Sequence, residues 1–450
     1  MQGKHEIDMT TGSLSPKIMK FTIPFMFSGM LQTMFNAADN AVIGAFDGSN
    51  ALAAVGSTGS ITNFVINLFM GLAVGTNVVV SNSIGSNQKK TCEETIHTAM
   101  CLSLVLGIIL GVASFLMTRV FLKFLNCPVE VMDLADIYLK IYFLGIPAIS
   151  AYNFSSSILR SKGDTQRPLI YLSIAGVLNI VLNLILVIGF RMSTAGVGIA
   201  TTVSQYLSAY LSVRALTKEE GFCRLDLKKL RIIPHRAALL MKIGIPASVQ
   251  GLMFSISNIS IQSSVNTFGP DAMAGVGAGA SLNAIVWNTI SAFGQASLAF
   301  TAQNYGAKKF DRIKKVYVWS MVLMIACWVV VVLLIQSNLE TLLKLFVPNN
   351  EKALAYSKLS TRTLTSTYII AGFMEITVGM IRGLGYSSVP AIISVFGICG
   401  IRFIWLVTAF KKFHTFLCLY ISYPTTWAIT TIALVIYFAM VYKKVVKIHK

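Results

Sequence analysis

Apolar stretches of ~20 residues recur from one end of this chain to the other, and nothing else in it constrains the fold as strongly. Lipid offers no partner to an open backbone N–H or C=O, so each stretch that enters a bilayer must be a helix. Twelve can be delimited, at 17–39, 51–81, 95–119, 133–160, 168–190, 193–216, 238–265, 272–303, 314–336, 353–382, 388–410 and 414–442. Composition points the same way. Charged residues make up 12% of the 450, about half of the roughly 25% that covers a water-soluble domain. The expected class is an all-α polytopic membrane protein with twelve transmembrane helices.

The formal net charge is +19. In a soluble protein such an excess would suggest a nucleic-acid partner. Here it sits in loops between apolar runs, so the expected partner is membrane lipid and no nucleic acid. Lys89, Lys90, Arg160, Lys162, Arg167, the segment Lys218–Arg236, Lys308, Lys309, Arg312, Lys314, Lys315, Lys443, Lys444, Lys447 and Lys450 fall on one side. The opposite loops are poor in positive charge, with Lys411 and Lys412 the exception. Basic loops mark the cytoplasmic side. Both termini are therefore expected there, which requires an even number of spans. The polar stretch Met1–Pro16 lacks the apolar core of a signal peptide. A multi-pass protein of a bacterial cytoplasmic membrane is expected.

The chain repeats itself. IGIPASVQGLMFSISN from Ile243 resembles FTIPFMFSGMLQTMFN from Phe21, pairing Pro24 with Pro246 at a spacing of 222. Phe46 then pairs with Phe268 and, after a one-residue gap, Gly56 with Gly277 and Gly85 with Gly306. LRSKGDTQRP (159–168) matches IRGLGYSSVP (381–390), which sets Arg160, Gly163 and Pro168 against Arg382, Gly385 and Pro390. Six spans per copy give both copies the same topology. The expected division is an N-terminal bundle over 1–216, a basic linker over 217–237 and a homologous C-terminal bundle over 238–450. The solute site is expected between the bundles, near the bilayer midplane.

Polar side chains within spans are costly and are functional candidates for that reason. Gln32, Asn36, Asp39 and Asn40 recur at helical spacing in the first span and are expected to share a face. Ser60, Asn63 and Asn67 do so in the second, Asn179 and Asn183 in the fifth, and Ser255, Asn258 and Gln262 in the seventh. Asn283, Trp287, Ser291 and Gln295 step by four in the eighth. Amides at such spacing either hold helices together, at ~1 kcal/mol each, or line a shared polar cavity; their repetition in both copies favours the cavity. The carboxylates are sharper candidates. Asp39 lies near the outer end of the first span. Glu375 lies near the middle of the tenth, with Arg382 seven residues on and Arg402 as another potential partner. Either acid could carry a proton or hold Na⁺ through oxygen ligands.

Other chemistries lack their signatures. There is no GxxxxGK[ST] for ATP hydrolysis, no HExxH and no GxSxG. The run GVGAGA (275–280) looks like a nucleotide loop but falls within or at the mouth of the eighth span, where small residues let helices approach. Seven scattered cysteines without a CxxC predict neither a disulfide framework nor a metal site. The five histidines, His5, His97, His235, His414 and His449, are dispersed, and no metal cluster is expected from them.

With N-A-A-D-N-A-V-I-G (36–44), A-L-A-A-V-G (51–56), the pair R-S-K-G-D-T-x-x-P and R-G-L-G-Y-S-x-x-P, and R-F-I-W (402–405), the chain resembles the MATE family of multidrug and toxic compound extrusion transporters. The resemblance runs from Pro16 to about Tyr442. It implies two six-helix bundles facing each other in a V and alternating access. It also implies export of drugs or metabolites against entry of H⁺ or Na⁺, without ATP, enzymatic activity or a cofactor. The acid of the family's first helix corresponds to Asp39, and its fourth- and fifth-helix asparagines resemble Asn153 and Asn179. Members with a proton-linked N-terminal site usually carry Asp where this chain has Asn183, which cannot titrate but can ligate a cation. Other members place the ion site in the second half, and Glu375 is similar to their tenth-helix acid.

The expected function is therefore an ion-coupled antiporter, monomeric, exporting small organic solutes that are cationic or amphipathic. Asp39, Glu375, Asn179 and Asn183 are the candidates for ion coupling. Gln32, Asn36, Asn63, Asn67, Asn153, Asn258, Gln262, Asn283, Trp287 and Arg402 are the candidates for the substrate cavity. A lipid-linked-oligosaccharide flippase of the same superfamily would need a cavity rich in Arg and Lys, whereas the buried spans here offer mainly Arg402, Arg160 and Arg382. A membrane enzyme would need a clustered catalytic set, such as paired His and Asp, which the sequence lacks.

Overall fold

The computed structural model describes residues 6–46, 48–125, 127–221, 223–348 and 350–449. His5 and Lys450, which entered the reading above, lie outside them. The twelve apolar segments are helical. They are α1 (Leu14–Phe46), α2 (Ser49–Gly85), α3 (Lys89–Leu116), α4 (Val129–Leu144 with Ile146–Ser161) and α5 (Gln166–Gly189). These are followed by α6 (Ser193–Thr217), α7 (Pro234–Asn266), α8 (Pro270–Gly306), α9 (Phe310–Ser337), α10 (Glu351–Gly383), α11 (Ser388–Phe413) and α12 (Phe416–His449). Eight are long and apolar enough to cross a bilayer alone, and the bent pair of α4 makes a ninth. The other three, α1, α6 and α8, are helices of 33, 25 and 37 residues. They fall short in hydropathy because each is rich in small and polar residues.

The helices pack as two units. The first holds the residues up to Ile7 and Phe27–Ser248, and the second holds Asp8–Met26 and Val249–Lys450. The boundaries thus differ from the expected cut at 217–237. They fall inside α1 and α7, at positions again 222 apart, each within three residues of a helix-interior proline, Pro24 or Pro246. Proline removes an intrahelical hydrogen bond and crowds the preceding turn, so both helices change packing partners where they are weakest.

In the first unit, α4 lies against α2, α3 and α6. The Ser157 hydroxyl donates to the Ala73 carbonyl at 2.6 Å, and Ser161 donates to Asn77 at 3.2 Å. The 44° bend of α4 falls at Gly145, two residues before Pro147. Carbonyls at the bend find partners on α6: Ile141 accepts from Thr202 and Leu144 from Tyr206, both at 2.9 Å. That satisfies backbone that lipid could not. The corresponding positions of α10 are Thr367 and Ile369, and α10 is continuous. The first half of α7 belongs here, with Ser248 donating to the Leu68 carbonyl at 2.8 Å. Gly75 of α2 faces the backbone of Leu240 and Gly244 so closely that a Cβ there would overlap them.

The basic segment 217–237 is docked on α3 rather than loose. His97 accepts from the Asp226 N–H at 3.0 Å, Lys229 and Arg236 pair with Glu93 and Glu94, and the Cys92 and Cys223 sulfurs lie 3.6 Å apart as free thiols. Beside it, Lys162 bridges Glu6 and Glu219, and Arg167 bridges Glu219 and Asp164. Burial by itself would push the Glu219 carboxyl up, but Lys162 and Arg167 outweigh it and hold the group below its usual range. Gly163, at φ +84°, makes the turn between α4 and α5 and lies against Ile7; Gly385, at φ +89°, makes the matching turn between α10 and α11. Only glycine adopts that conformation without strain.

In the second unit, α8 and α10 touch along their length. Gly275, Gly279 and Gly294 of α8 and Gly379 and Gly383 of α10 remove the side chains that would hold them apart. GVGAGA (275–280) is thus helix and serves packing. The first half of α1 belongs to this unit. Phe21 meets Phe300 edge-on at 5.9 Å, and Asn304 donates to the Met9 carbonyl at 3.0 Å.

Candidate functional site

Asp39 is buried in the first unit, although α1 is polar around it. Gln32 is half-buried and Asn36 and Asn40 are exposed, while Asp39 turns inward toward α5 and α6. The four residues expected to share a face therefore divide between two. The Phe35 ring packs onto Gly176 of α5, where a Cβ would collide with it. One turn further along both helices, this contact sets Asp39 opposite Asn179 and Asn183. The Asn183 amide donates to Asp39 Oδ1 at 2.6 Å and to Asn179 Oδ1 at 3.3 Å. Thr201 of α6 donates to Asp39 Oδ2 at 3.4 Å and accepts from the Asn179 amide at 3.4 Å.

The result is one carboxylate ringed by two amides and a hydroxyl. Among the described residues no Lys, Arg or His forms an ion pair with it. The Asn183 Oδ1 is buried with no donor. Immediately after Asn183 the helix widens into a π turn over Leu184–Gly189, a feature frequent at functional sites. Thr201 was not among the sequence candidates. A threonine in an apolar helix gives no signal until its neighbour is known.

Glu375 lies in the other unit, half-buried on α10 and packed at Gly294 of α8. Among the described residues it forms no ion pair with Arg382 or Arg402. Arg382 instead donates to Gln250 Oε1 at 2.7 Å, and Arg402 donates to Ser257 at 3.0 Å and Asn258 at 3.4 Å. Asn153, the counterpart of Glu375 in the first copy, bonds its own helix at the Ile149 carbonyl, 2.8 Å away. Asn63 is exposed and Asn67 half-buried on α2. Gln262 is exposed and bonds Asn266 at 3.2 Å. Asn283 has a buried Oδ1 without a donor, and Trp287 faces Tyr368 at 5.9 Å. The structure thus gathers Asp39, Asn179 and Asn183 in the first unit and Asn258 with Arg402 in the second, and it leaves the remaining candidates distributed over other helix faces of the two units. No group of three or more His, Cys, Asp or Glu that could hold a metal ion occurs among the described residues.

A family model described as MatE matches residues 24–185 and, a second time, residues 246–408. The chain belongs to the MatE family. The two matches are the duplication read from Pro24 and Pro246, and membership makes the MatE chain a membrane transporter rather than an enzyme. Its relatives include the probable multidrug resistance protein YoeA of Bacillus subtilis (strain 168), 26% identical over 435 residues that cover 94% of this chain and 93% of that one. The probable multidrug resistance protein YpnP of the same organism is 30% identical over 308 residues, 68% of each chain. An outward-facing conformation of a multidrug resistance MATE family transporter of the MOP superfamily superposes on the MatE chain with a TM-score of 0.90. That match covers 99% of this chain and 100% of the other at 21% identity, and it establishes the shared fold.

Proposed function

We propose that this protein exports small organic, amphipathic solutes by alternating access, in exchange for a monovalent cation taken up at Asp39. The observation that carries the reading is a buried carboxylate whose bonded partners are neutral. A buried charge without a counter-charge is unfavourable, and an entering cation relieves it. Asn179, Asn183 and Thr201 supply further oxygens for a dehydrated Na⁺, and Asp39 alone supplies a place for a proton. Because Asn183 cannot titrate, the cluster takes one positive charge per cycle. One charge moved through 100 mV supplies ~2.3 kcal/mol, enough for a more than tenfold solute gradient. Export of varied solutes is in keeping with the multidrug resistance named for YoeA and YpnP. The Lys-rich loops support a cytoplasmic location for both termini.

The test uses purified protein in proteoliposomes loaded with a fluorescent amphipathic cation. A pH gradient and a Na⁺ gradient are imposed separately, and the one that drives dye movement names the ion. If neither drives it, the antiport reading is wrong. If Glu375→Gln abolishes coupling while Asp39→Asn leaves it intact, the ion is carried in the second unit instead.

A further inference from the structure

The second copy of the repeat holds a buried charge of the opposite sign. Arg402 of α11 is 3% exposed. Its guanidinium lies over the Tyr423 ring at 4.2 Å. Both of its hydrogen bonds use Nη1, to the Ser257 hydroxyl and to Asn258 Oδ1. The Nε is buried without an acceptor, and no described residue bonds Nη2. The free Nε–Nη2 edge is the one that grips a carboxylate with two parallel N–H···O bonds. No described Asp or Glu forms an ion pair with the group.

Two features make this a built site rather than a stray cation. First, α11 is widened on both sides of Arg402, by π turns over Val395–Gly400 and Leu406–Phe410. The second of these matches the π turn after Asn183, 222 positions earlier. The first is extra. At that same spacing of 222 Asn179 pairs with Ile401, so Arg402 stands one position beyond the counterpart of Asn179. Ser257 and Asn258 are the counterparts of Phe35 and Asn36 on α1. Of the residues around the anion in the first unit, Thr201 pairs at 222 with Tyr423, whose ring lies against the Arg402 guanidinium. Second, access is one side chain deep. Asn258 is exposed, and its bond to Arg402 is long at 3.4 Å. An incoming anion can take over from it at little cost, while Ser257 and Tyr423 keep the guanidinium in place.

We infer that the Nε–Nη2 edge of Arg402 receives a carboxylate group of the transported solute. The inference rests on the export reading above and narrows its substrate class to amphipathic molecules that carry an acid. A guanidinium taken out of water and left with neutral partners is poorly compensated. A bidentate carboxylate supplies both the charge and the two acceptors it lacks.

The probe is one cationic xanthene dye in two forms, with a free benzoate and as its methyl ester. Equilibrium binding of each to the full chain is followed by fluorescence anisotropy in neutral detergent. The wild type should bind the acid at least about tenfold more tightly than the ester. Arg402→Gln should abolish that preference of at least about tenfold, with a cooperative thermal unfolding transition and a monodisperse elution profile as evidence that the fold is intact. Arg402→Lys keeps the charge without the planar fork and should retain part of the preference. Equal affinity for the two forms in the wild type, or an unchanged preference in Arg402→Gln, overturns the inference. If the preference behaves as expected while neither a pH nor a Na⁺ gradient moves the dye, the antiport reading fails and the carboxylate site stands.

Discussion

Asp39→Asn separates the charge of the buried cluster from its shape. The amide is nearly isosteric with the carboxylate, so Asn183, Asn179 and Thr201 can keep their places around it. With donors at 2.6 and 3.4 Å from the two carboxylate oxygens, a cation that enters the ring lies within ~4 Å of the charge. At an effective dielectric of about 20 that attraction is worth ~4 kcal/mol. Its loss should weaken cation binding roughly a thousandfold. The assay is thermal unfolding of the purified protein in neutral detergent, titrated with Na⁺ at constant pH and with pH in the absence of Na⁺. A cation at about a hundred times its Kd should stabilise the wild type by ~2.7 kcal/mol, and Asp39→Asn should lose that cation-dependent gain. Without cation the variant should melt no lower than the wild type, because an uncompensated buried charge has been removed. A variant that keeps the wild-type cation response would refute the assignment of the ion to Asp39.

Thr201→Val conserves shape and removes one long hydrogen bond to Asp39. It should lower cation affinity by less than about tenfold, corresponding to ~1 kcal/mol, in the same melting titration. Gly75→Ala puts a methyl group against the Leu240 backbone; overpacking of this kind costs ~1–3 kcal/mol, visible as a lower melting temperature at saturating cation. Glu219 has its carboxyl pKa depressed in the folded protein. The stability it contributes is present above the ordinary glutamate value of ~4.3 and is lost as pH falls through the lower folded value. Hydrogen exchange of residues 6–13 should therefore quicken on acidification of the wild type, and in Glu219→Gln it should already be fast at neutral pH. Lys162 is shifted the other way: burial lowers it, but Glu219 and Glu6 prevail and raise it. Its contribution persists below the ordinary lysine value of ~10.4 and disappears only as pH rises through the folded one.

Much of this molecule was determined by the sequence alone. Twelve helices follow from twelve apolar segments, because hydropathy and the need to close backbone hydrogen bonds in lipid act on contiguous residues. The duplication follows from Pro24 and Pro246, Gly163 and Gly385, and Arg160 and Arg382; the prolines and glycines each serve a local conformation that the same short motif produces twice. Asp39, Asn179 and Asn183 could be named as candidates because polar groups in spans are few.

Only the tertiary structure decided what those groups do. Helical spacing puts Asn36, Asp39 and Asn40 within one broad arc, and packing against Gly176 is what turns Asp39 inward and leaves the other two exposed. Thr201 joins the cluster at a sequence separation of 162 from Asp39, a distance over which periodicity carries no information. The same limit hid the exchange of half-helices at 26/27 and 248/249: a proline announces a weak point, but which bundle each half packs against depends on surfaces made by the rest of the chain. It also hid the state of Arg402, which sequence reading could pair with Glu375. Whether a buried charge has a counter-charge depends on side chains meeting across helices, and here the partners it meets are a serine, an asparagine and a tyrosine ring.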